Sequence, residues 1–214
     1  MAIPLLILGA GPFAEDVFDV ADDTGLFDIV GFACSIGRET MPSELLGLPV
    51  HWLEDILPNL PAETRMVCGI GSAGRSSVFR TCRELGFEFA NVIHPTARIS
   101  RRAVLGHGVV VGPLTTISTG CRVGDNVIVN RGATVGHHTV IEAHATLSPG
   151  VNLAGHVSIL SGATVGMGAN VLETLTVGEN AFVGSGSVVT RTVAHGDTVV
   201  GVPAKPLERA KAPA

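Results

Sequence analysis

Counting by sixes from Ile93 lands on Ile, Leu or Val seventeen times in succession: Ile93, Ile99, Leu105, Val111, Ile117, Val123, Val129, Val135, Ile141, Leu147, Leu153, Ile159, Val165, Val171, Val177, Val183 and Val189. If aliphatic residues filled about a third of all positions, chance would give such a run at a level of order 10⁻⁸. Glycine often comes next, as at Gly106, Gly112, Gly124, Gly136, Gly166, Gly178 and Gly184. Four places after the aliphatic residue stands a small or β-branched one, as in Ala97, Ala103, Val109, Thr115, Val127, Ala133, Thr139, Ala145, Val157 and Ala163. A period of six is neither helical nor that of a single alternating strand. It suits a prism in which each hexapeptide supplies one short strand and one turn, and three complete a triangular coil. The aliphatic residue then points inward and stacks on its equivalent eighteen residues away. At about 4.8 Å per coil, seventeen hexapeptides build a column roughly 27 Å tall. The pattern predicts a left-handed parallel β-helix of hexapeptide repeats over residues 92–214. The tail from Ala194 leaves the period and is expected to close the column, since an uncapped solenoid exposes its last coil.

Residues 1–91 follow another pattern and predict a small α/β (Rossmann-like) domain. Pro4–Leu8 is a short apolar run suited to a buried parallel strand. Gly9-Ala10-Gly11-Pro12-Phe13-Ala14 follows and opens a helical pattern, Glu15 to Asp23, carrying Val17, Phe18, Val20 and Ala21. Phe27–Ala33 and Met66–Ile70 read as further strands. The second of these leads through Gly71-Ser72-Ala73-Gly74 into a helix containing Phe79 and Leu85. In an open parallel sheet ligands lie at the carboxyl ends of strands, which makes Gly9–Ala14 and Gly69–Gly74 one candidate pocket. The GxGxxA spacing fits both a phosphate cradle and close helix–strand packing. Ala33-Cys34-Ser35 ends the second strand without an acidic residue, so a ribose contact of the NAD type is not expected. The segment is also short for a complete dinucleotide fold.

Composition narrows the function classes. The chain has 214 residues, 46% hydrophobic and only 15% charged, and a net charge of −5. No basic run offers a nucleic-acid footprint, and no apolar stretch approaches membrane-spanning length. The N-terminus lacks the basic region of a signal peptide. Cys34, Cys68, Cys82 and Cys121 form no CxxC pair and read as scattered buried thiols in a reducing compartment, so a cytoplasmic location is expected.

The Gly-rich α/β module, Ile93-His94-Pro95, the hexapeptide column and the closing Gly201-Val202-Pro203-Ala204-Lys205 together resemble one family over residues 4–207. It is the bacterial sugar O- and N-acyltransferases of the sialic-acid and bacillosamine type, which acetylate amino sugars carried on nucleotides. The most specific match is Asn130–His137, followed by Ser148-Pro149-Gly150 and Leu153-Ala154-Gly155. The resemblance implies transfer of an acyl group, expected to be acetyl, from acetyl-CoA or another acyl-CoA, a co-substrate and not a resident cofactor, to an amino or hydroxyl group of a nucleotide-linked sugar, with acyl chain length and nitrogen or oxygen left open. His137 takes the general base's position, and the assembly implied is a homotrimer with sites between columns. An imidazole titrating near neutrality is suited to take the proton of an attacking amine or hydroxyl. The oxyanion formed would need a donor such as a backbone N–H of a glycine turn. Direct attack is implied, and no cysteine neighbours His137 in sequence.

The chain departs from the family pattern at several of these positions. The family's acidic residue after the base is His138, which cannot raise the basicity of a neighbouring imidazole as a carboxylate does. A second family His near the thioester corresponds to Thr146. In the substrate pocket, implied at Gly9, Gly11, Pro12, Phe13, Ala14, Cys34, Ser35 and Gly71, the family's Gly-His-Gly is Pro12-Phe13-Ala14 and its Asp pair is Cys34-Ser35. Gly155, Met167 and Ser185 join Thr146 at CoA-binding positions. Asn130 is read either as a substrate contact or as part of an asparagine ladder. His144 and His156 are expected to face outward, and His107 to lie on another face. Two other readings stay open. One is a non-catalytic trimeric ligand-binding module. The other is a His-ligated metalloenzyme of the carbonic-anhydrase type, poorly served by His137, His138 and His144 at intervals of one, six and seven. No metal ligand is assigned.

Overall fold

The computed structural model describes residues 2–72 and 74–207. The N-terminal unit is a five-stranded sheet with helices on both faces. Its elements are β1 (Ile3–Leu8), α1 (Pro12–Asp23), β2 (Phe27–Cys34), β3 (Glu44–Leu45), β4 (Leu48–Trp52), α2 (Leu53–Ile56), β5 (Arg65–Cys68) and α3 (Arg75–Glu84). The strand order is β3-β4-β2-β1-β5, parallel except for the β3–β4 hairpin. The run Leu5–Leu8 is fully buried because alternate residues feed opposite layers. Leu5 and Ile7 pack with Val17, Val20 and Ala21 of α1, while Leu6 and Leu8 pack with Phe79 and Cys82 of α3.

Three local details differ from the sequence reading. The first helix starts at Pro12, not Glu15, because proline is preset for the first helical position and has no N–H to leave unpaired. The strand expected over Met66–Ile70 ends at Cys68. A side chain at Gly69 would come within 2.9 Å of Ala14, so the chain turns where helix and strand meet most closely. The hairpin and short helical turns between residues 36 and 60 carry too little periodicity to be read in advance.

The column has three faces, and all seventeen aliphatic residues sit second in a two-residue strand, from Val92–Ile93 to Val188–Val189. Strands pair in parallel with partners eighteen residues apart, as Thr116↔Thr134 and Ile117↔Val135. This regular parallel spacing fits a left-handed β-helix. From Val111 to Val189 every inward residue is at most 4% exposed, and Ile93, Ile99 and Leu105 at the open first coil are partly covered. The small residues four places on make a second buried series, which includes Cys121, Thr115 and Thr139. Glycine follows the aliphatic residue where coils nearly touch: a Cβ at Gly136 would lie 2.4 Å from the carbonyl carbon of Ala154. The tail adds two strands to the end of the column. Thr198–Val200 adds a parallel strand beside Phe182–Val183, and Lys205–Pro206 folds back antiparallel on it. The last seven residues of the expected tail, 208–214, lie outside the described residues. Among the described residues no helix is long and apolar enough to cross a membrane.

The first face (strands at 92–93, 110–111, 128–129, 146–147) is covered by the N-terminal unit. Val92, Val110 and Ile128 join the core of α1. On the edge between first and second faces, His94 meets Asp23 at 3.0 Å and Arg131 meets Asp16 at 3.8 Å. On the edge between third and first faces, Arg75 is only 2% exposed. Its guanidinium donates to the carbonyls of Asn126 (3.4 Å), His144 and Ala145 (3.0 Å) and to Thr146 Oγ1 (2.8 Å). The remaining edge, between second and third faces, therefore lies opposite the N-terminal unit.

Candidate active site

That opposite edge carries His137 and His138. From Gly108 to Gly186 the turns of the column each place one residue in the left-handed region. Within one edge these residues repeat every eighteen positions, as Gly120 (φ 70°), His138 (φ 57°), His156 (φ 57°) and Thr174 (φ 64°). Positive φ is unusual for a residue with a side chain, though Asn, Asp and His tolerate it better than most. The register stacks the His138 ring on that of His156, 7° from parallel with centroids 5.1 Å apart. His137 stands across both, at 5.4 Å and 76° from His138 and at 5.1 Å and 82° from His156.

His137 is exposed, and its ring lies above Gly155, where a Cβ would come within 2.5 Å of its Cε1. Gly155 thus makes room for the imidazole. Its Nδ1 is 3.3 Å from Nδ1 of His138, and among the described residues its Nε2 has no hydrogen-bond partner. If His137 carries its proton on Nδ1, that N–H donates to His138 and Nε2 presents a lone pair outward. The sequence reading gave His138 no means of supporting its neighbour. In the structure the two Nδ1 atoms are within hydrogen-bond reach, although a neutral nitrogen is a weaker acceptor than a carboxylate.

Cys121 is a spatial neighbour that sequence distance concealed. Its Sγ donates to the carbonyl of Gly136 at 3.1 Å, but the side chain faces the core and burial pushes the thiol up from its ordinary value. A protonated, fully enclosed thiol is no nucleophile.

His144 lies on the edge beneath α3, not beside His137. It packs edge-on to Phe79 at 5.7 Å, and its Nδ1 lies 3.0 Å from Asn126 Nδ2. Burial, then the Arg75 and Arg80 charges, pull its pKa below the ordinary value. The set His137, His138 and His144 is therefore not assembled; His156 takes the third place. His107 sits on the same edge as His144 and is likewise remote from His137. Asn130 belongs to no ladder, since its Oδ1 accepts from the N–H of Arg131 at 2.7 Å. The ladder runs instead through Asn152 and Asn170, 3.2 Å apart.

The residues expected around the substrate gather at the carboxyl edge of the sheet. The N–H of Gly9 donates to Ala33 O at 2.7 Å, bringing Cys34 and Ser35 beside the Gly9–Ala14 turn. A Cβ at Gly71 would touch Phe13 at 3.6 Å, and one at Gly11 would meet nothing within 4 Å. Pro12 is exposed and Phe13 half-buried. Ala14 is fully buried against Gly69, so its side chain serves packing. A groove of about 160 Å³ continues from Phe13 between α1 and the first edge, past Asp16, His94, Asn130 and Arg131. A second cleft, missed in the sequence, lies where β4 ends: Arg38 stands 5.3 Å over the ring of Trp52 and pairs with Asp55.

The expected CoA positions separate. Gly155 is under His137, whereas Met167 and Ser185 stack on the edge bordering the groove, with Gly186 N–H bonded to Met167 O at 2.8 Å. Thr146 lies on the face under the N-terminal unit, where its hydroxyl accepts from Arg75. One chain thus holds His137 on one edge and the groove, Met167 and Ser185 on another.

The chain is similar to perosamine N-acetyltransferase from Caulobacter crescentus in complex with CoA and GDP-perosamine, at 31% identity and TM-score 0.88 over 96% of this chain and 97% of that one. That structure carries asparagine in place of a histidine, and another of the same enzyme carries alanine there. Similarity is equally extensive to the acetyltransferase domain of PglB from Neisseria gonorrhoeae in complex with acetyl coenzyme A, at 30% identity, TM-score 0.89, and 97% and 100% coverage. WeeI from Acinetobacter baumannii follows at 26% identity, TM-score 0.86, and 95% and 99% coverage. No protein-family model and no curated protein matches the chain.

Proposed function

The chain belongs to the bacterial sugar acetyltransferases of the hexapeptide-repeat type, and from that premise we propose that it moves the acetyl group of acetyl-CoA to an amino group of a nucleotide-linked sugar, with His137 as general base. The observation that carries the reading is the exposed His137 ring seated over Gly155, its Nδ1 against His138 and its Nε2 open. The sugar's nitrogen attacks the thioester carbonyl, and His137 Nε2 takes the proton that the nitrogen sheds. The tetrahedral adduct collapses with loss of the CoA thiolate, to which the same imidazolium returns the proton. His138 orients His137 by accepting its Nδ1–H. Transfer is direct, because the nearby thiol, Cys121, is shut inside the column. An amino acceptor is favoured by the N-acetyltransferase among the similar structures.

The assembly is a homotrimer. The placement of His137 and the N-terminal unit on opposite sides of one column supports this reading, in which a second copy brings its groove to His137. Gly11 and Phe13 present the carrier nucleotide's phosphates with backbone N–H groups at the start of α1, whose dipole favours anions, while Gly9, Pro12 and Gly71 shape the turn around them. The Arg38–Trp52 cleft, beside Cys34 and Ser35, supplies a flat surface for its base. Met167 and Ser185 line the pantetheine path on the copy that holds the groove.

His137→Ala tests the reading, with product followed by mass on a panel of nucleotide-linked amino sugars. Turnover should fall by roughly 10² to 10⁴ with CoA binding little changed, and His138→Ala should cost less. Full turnover in His137→Ala would remove the imidazole from the mechanism.

A further inference from the structure

We propose that His137, His138 and His156 form a binding site for a divalent transition-metal ion of the zinc class, and that the ion, when bound, masks the transferase's base. One potential ligand atom from each residue lies within 4.8 Å of the others, and all three side chains are exposed. Imidazole is a borderline donor that suits zinc, nickel and copper. A tetrahedral zinc with Zn–N bonds of about 2.0–2.1 Å brings two ligand nitrogens to roughly 3.3 Å of each other. Nδ1 of His137 and Nδ1 of His138 already stand at 3.3 Å. The third nitrogen, on His156, lies within 4.8 Å of the others, and its exposed ring turns out of the stack with His138 to aim a lone pair at the shared ion.

The column's geometry produces this convergence. Two adjacent histidines in a turn rarely share an ion, because successive side chains diverge. Here the left-handed residue of each turn repeats eighteen positions on, so His156 falls directly beneath His138 and its ring lies parallel to it. His137, one position before that register, crosses both rings. Gly155 keeps the level below His137 clear, and a Cβ at Gly120 would come within 2.7 Å of the His138 ring above. Among the described residues no carboxylate bonds to any of the three, so their nitrogens are not already committed as donors to an acid. Neutral imidazoles bind an ion without first releasing a proton. An ion on Nδ1 of His137 leaves the ring's one proton on Nε2, which then has no lone pair to accept another, and acetyl transfer stops until the ion leaves. That consequence rests on the proposed role of His137, whereas ion binding does not.

The test uses chelator-stripped wild-type protein and His156→Asn. Asparagine tolerates φ near 57°, so the variant should fold, and its response to zinc is read against its own turnover in metal-free buffer. Cobalt(II) titration should give the visible absorption of a nitrogen-ligated ion, saturating at one per chain, and zinc calorimetry should agree. His156→Asn should bind either ion at least tenfold more weakly, as should His138→Asn. Zinc should inhibit wild-type turnover, with the half-inhibiting concentration raised at least tenfold in His156→Asn. Absence of cobalt absorption and zinc heat, or equal affinity in wild type and both variants, overturns the site. Binding as described with turnover untouched by zinc upholds the site and instead refutes the base assignment.

Discussion

Replacing Arg75 by methionine should loosen the N-terminal unit from the column. The guanidinium is buried, and burial lowers its pKa only to about 10, so it is charged at neutral pH. Among the described residues it is the sole hydrogen-bond partner of two column carbonyls, Asn126 O and His144 O, while Ala145 O also accepts from Ile128. Methionine fills the volume but strands those two carbonyls. A buried group left without its partner costs about 1–3 kcal/mol, so the pair is worth roughly 2–6 kcal/mol. Relief of the guanidinium's own desolvation offsets part of that, leaving a net loss of about 3 kcal/mol. In a chain of this size each kcal/mol moves the melting temperature by about 2–4 °C, so a fall of roughly 6–12 °C is expected. Calorimetry at fixed protein concentration reads it directly. Arg75 also donates to Ser72 O at 3.4 Å in the Gly71–Gly74 turn, so KM for the sugar nucleotide should rise as well. A melting temperature within about 2 °C of wild type would mean that water satisfies those carbonyls and that Arg75 is no clasp.

Val135→Asp puts an unpaired carboxylate at a site 1% exposed, at a cost of several kcal/mol, and should abolish the cooperative thermal transition; wild-type melting would mean the six-residue register is wrong. His144, whose folded pKa is depressed by burial and then by Arg75 and Arg80, contributes stability that is complete above its unfolded pKa of about 6.5 and is lost as pH falls through the folded value. Melting temperature should therefore drop between pH 7 and 5 by more in wild type than in His144→Asn, and parallel curves would count against it. Gly11→Trp fits the open space around Gly11 and should block the substrate pocket without unfolding the chain. Co-expressed with His137→Ala, it should yield mixed trimers in which about a quarter of the interfaces pair an intact base with an intact pocket, recovering about a quarter of wild-type activity; no recovery at all would place the whole site in one chain.

The column could be read from its sequence because each of its physical requirements recurs in the same register. An inward aliphatic residue, a glycine where coils approach and a small residue at the bend all return at multiples of six. The α/β strands were legible for a related reason: Leu5–Leu8, buried on both faces, is continuously apolar. Arg75 was not legible. It sits at the start of a short polar helix, and nothing in the local pattern separates a guanidinium aimed into protein from one aimed at water. The histidines fall between these cases. His144 was weighed with His137 because it is near in the chain, but six residues on means the next edge of a three-sided prism, which removed it. The relevant interval is eighteen, one full coil, and His138 plus eighteen is His156. The same arithmetic separates Met167 and Ser185 from His137 and sets the groove on a different edge. A periodic fold therefore makes its sites partly computable from residue number alone, provided that distance is counted in coils. What that counting cannot supply is the surface brought by another copy, because no interval within one chain encodes it.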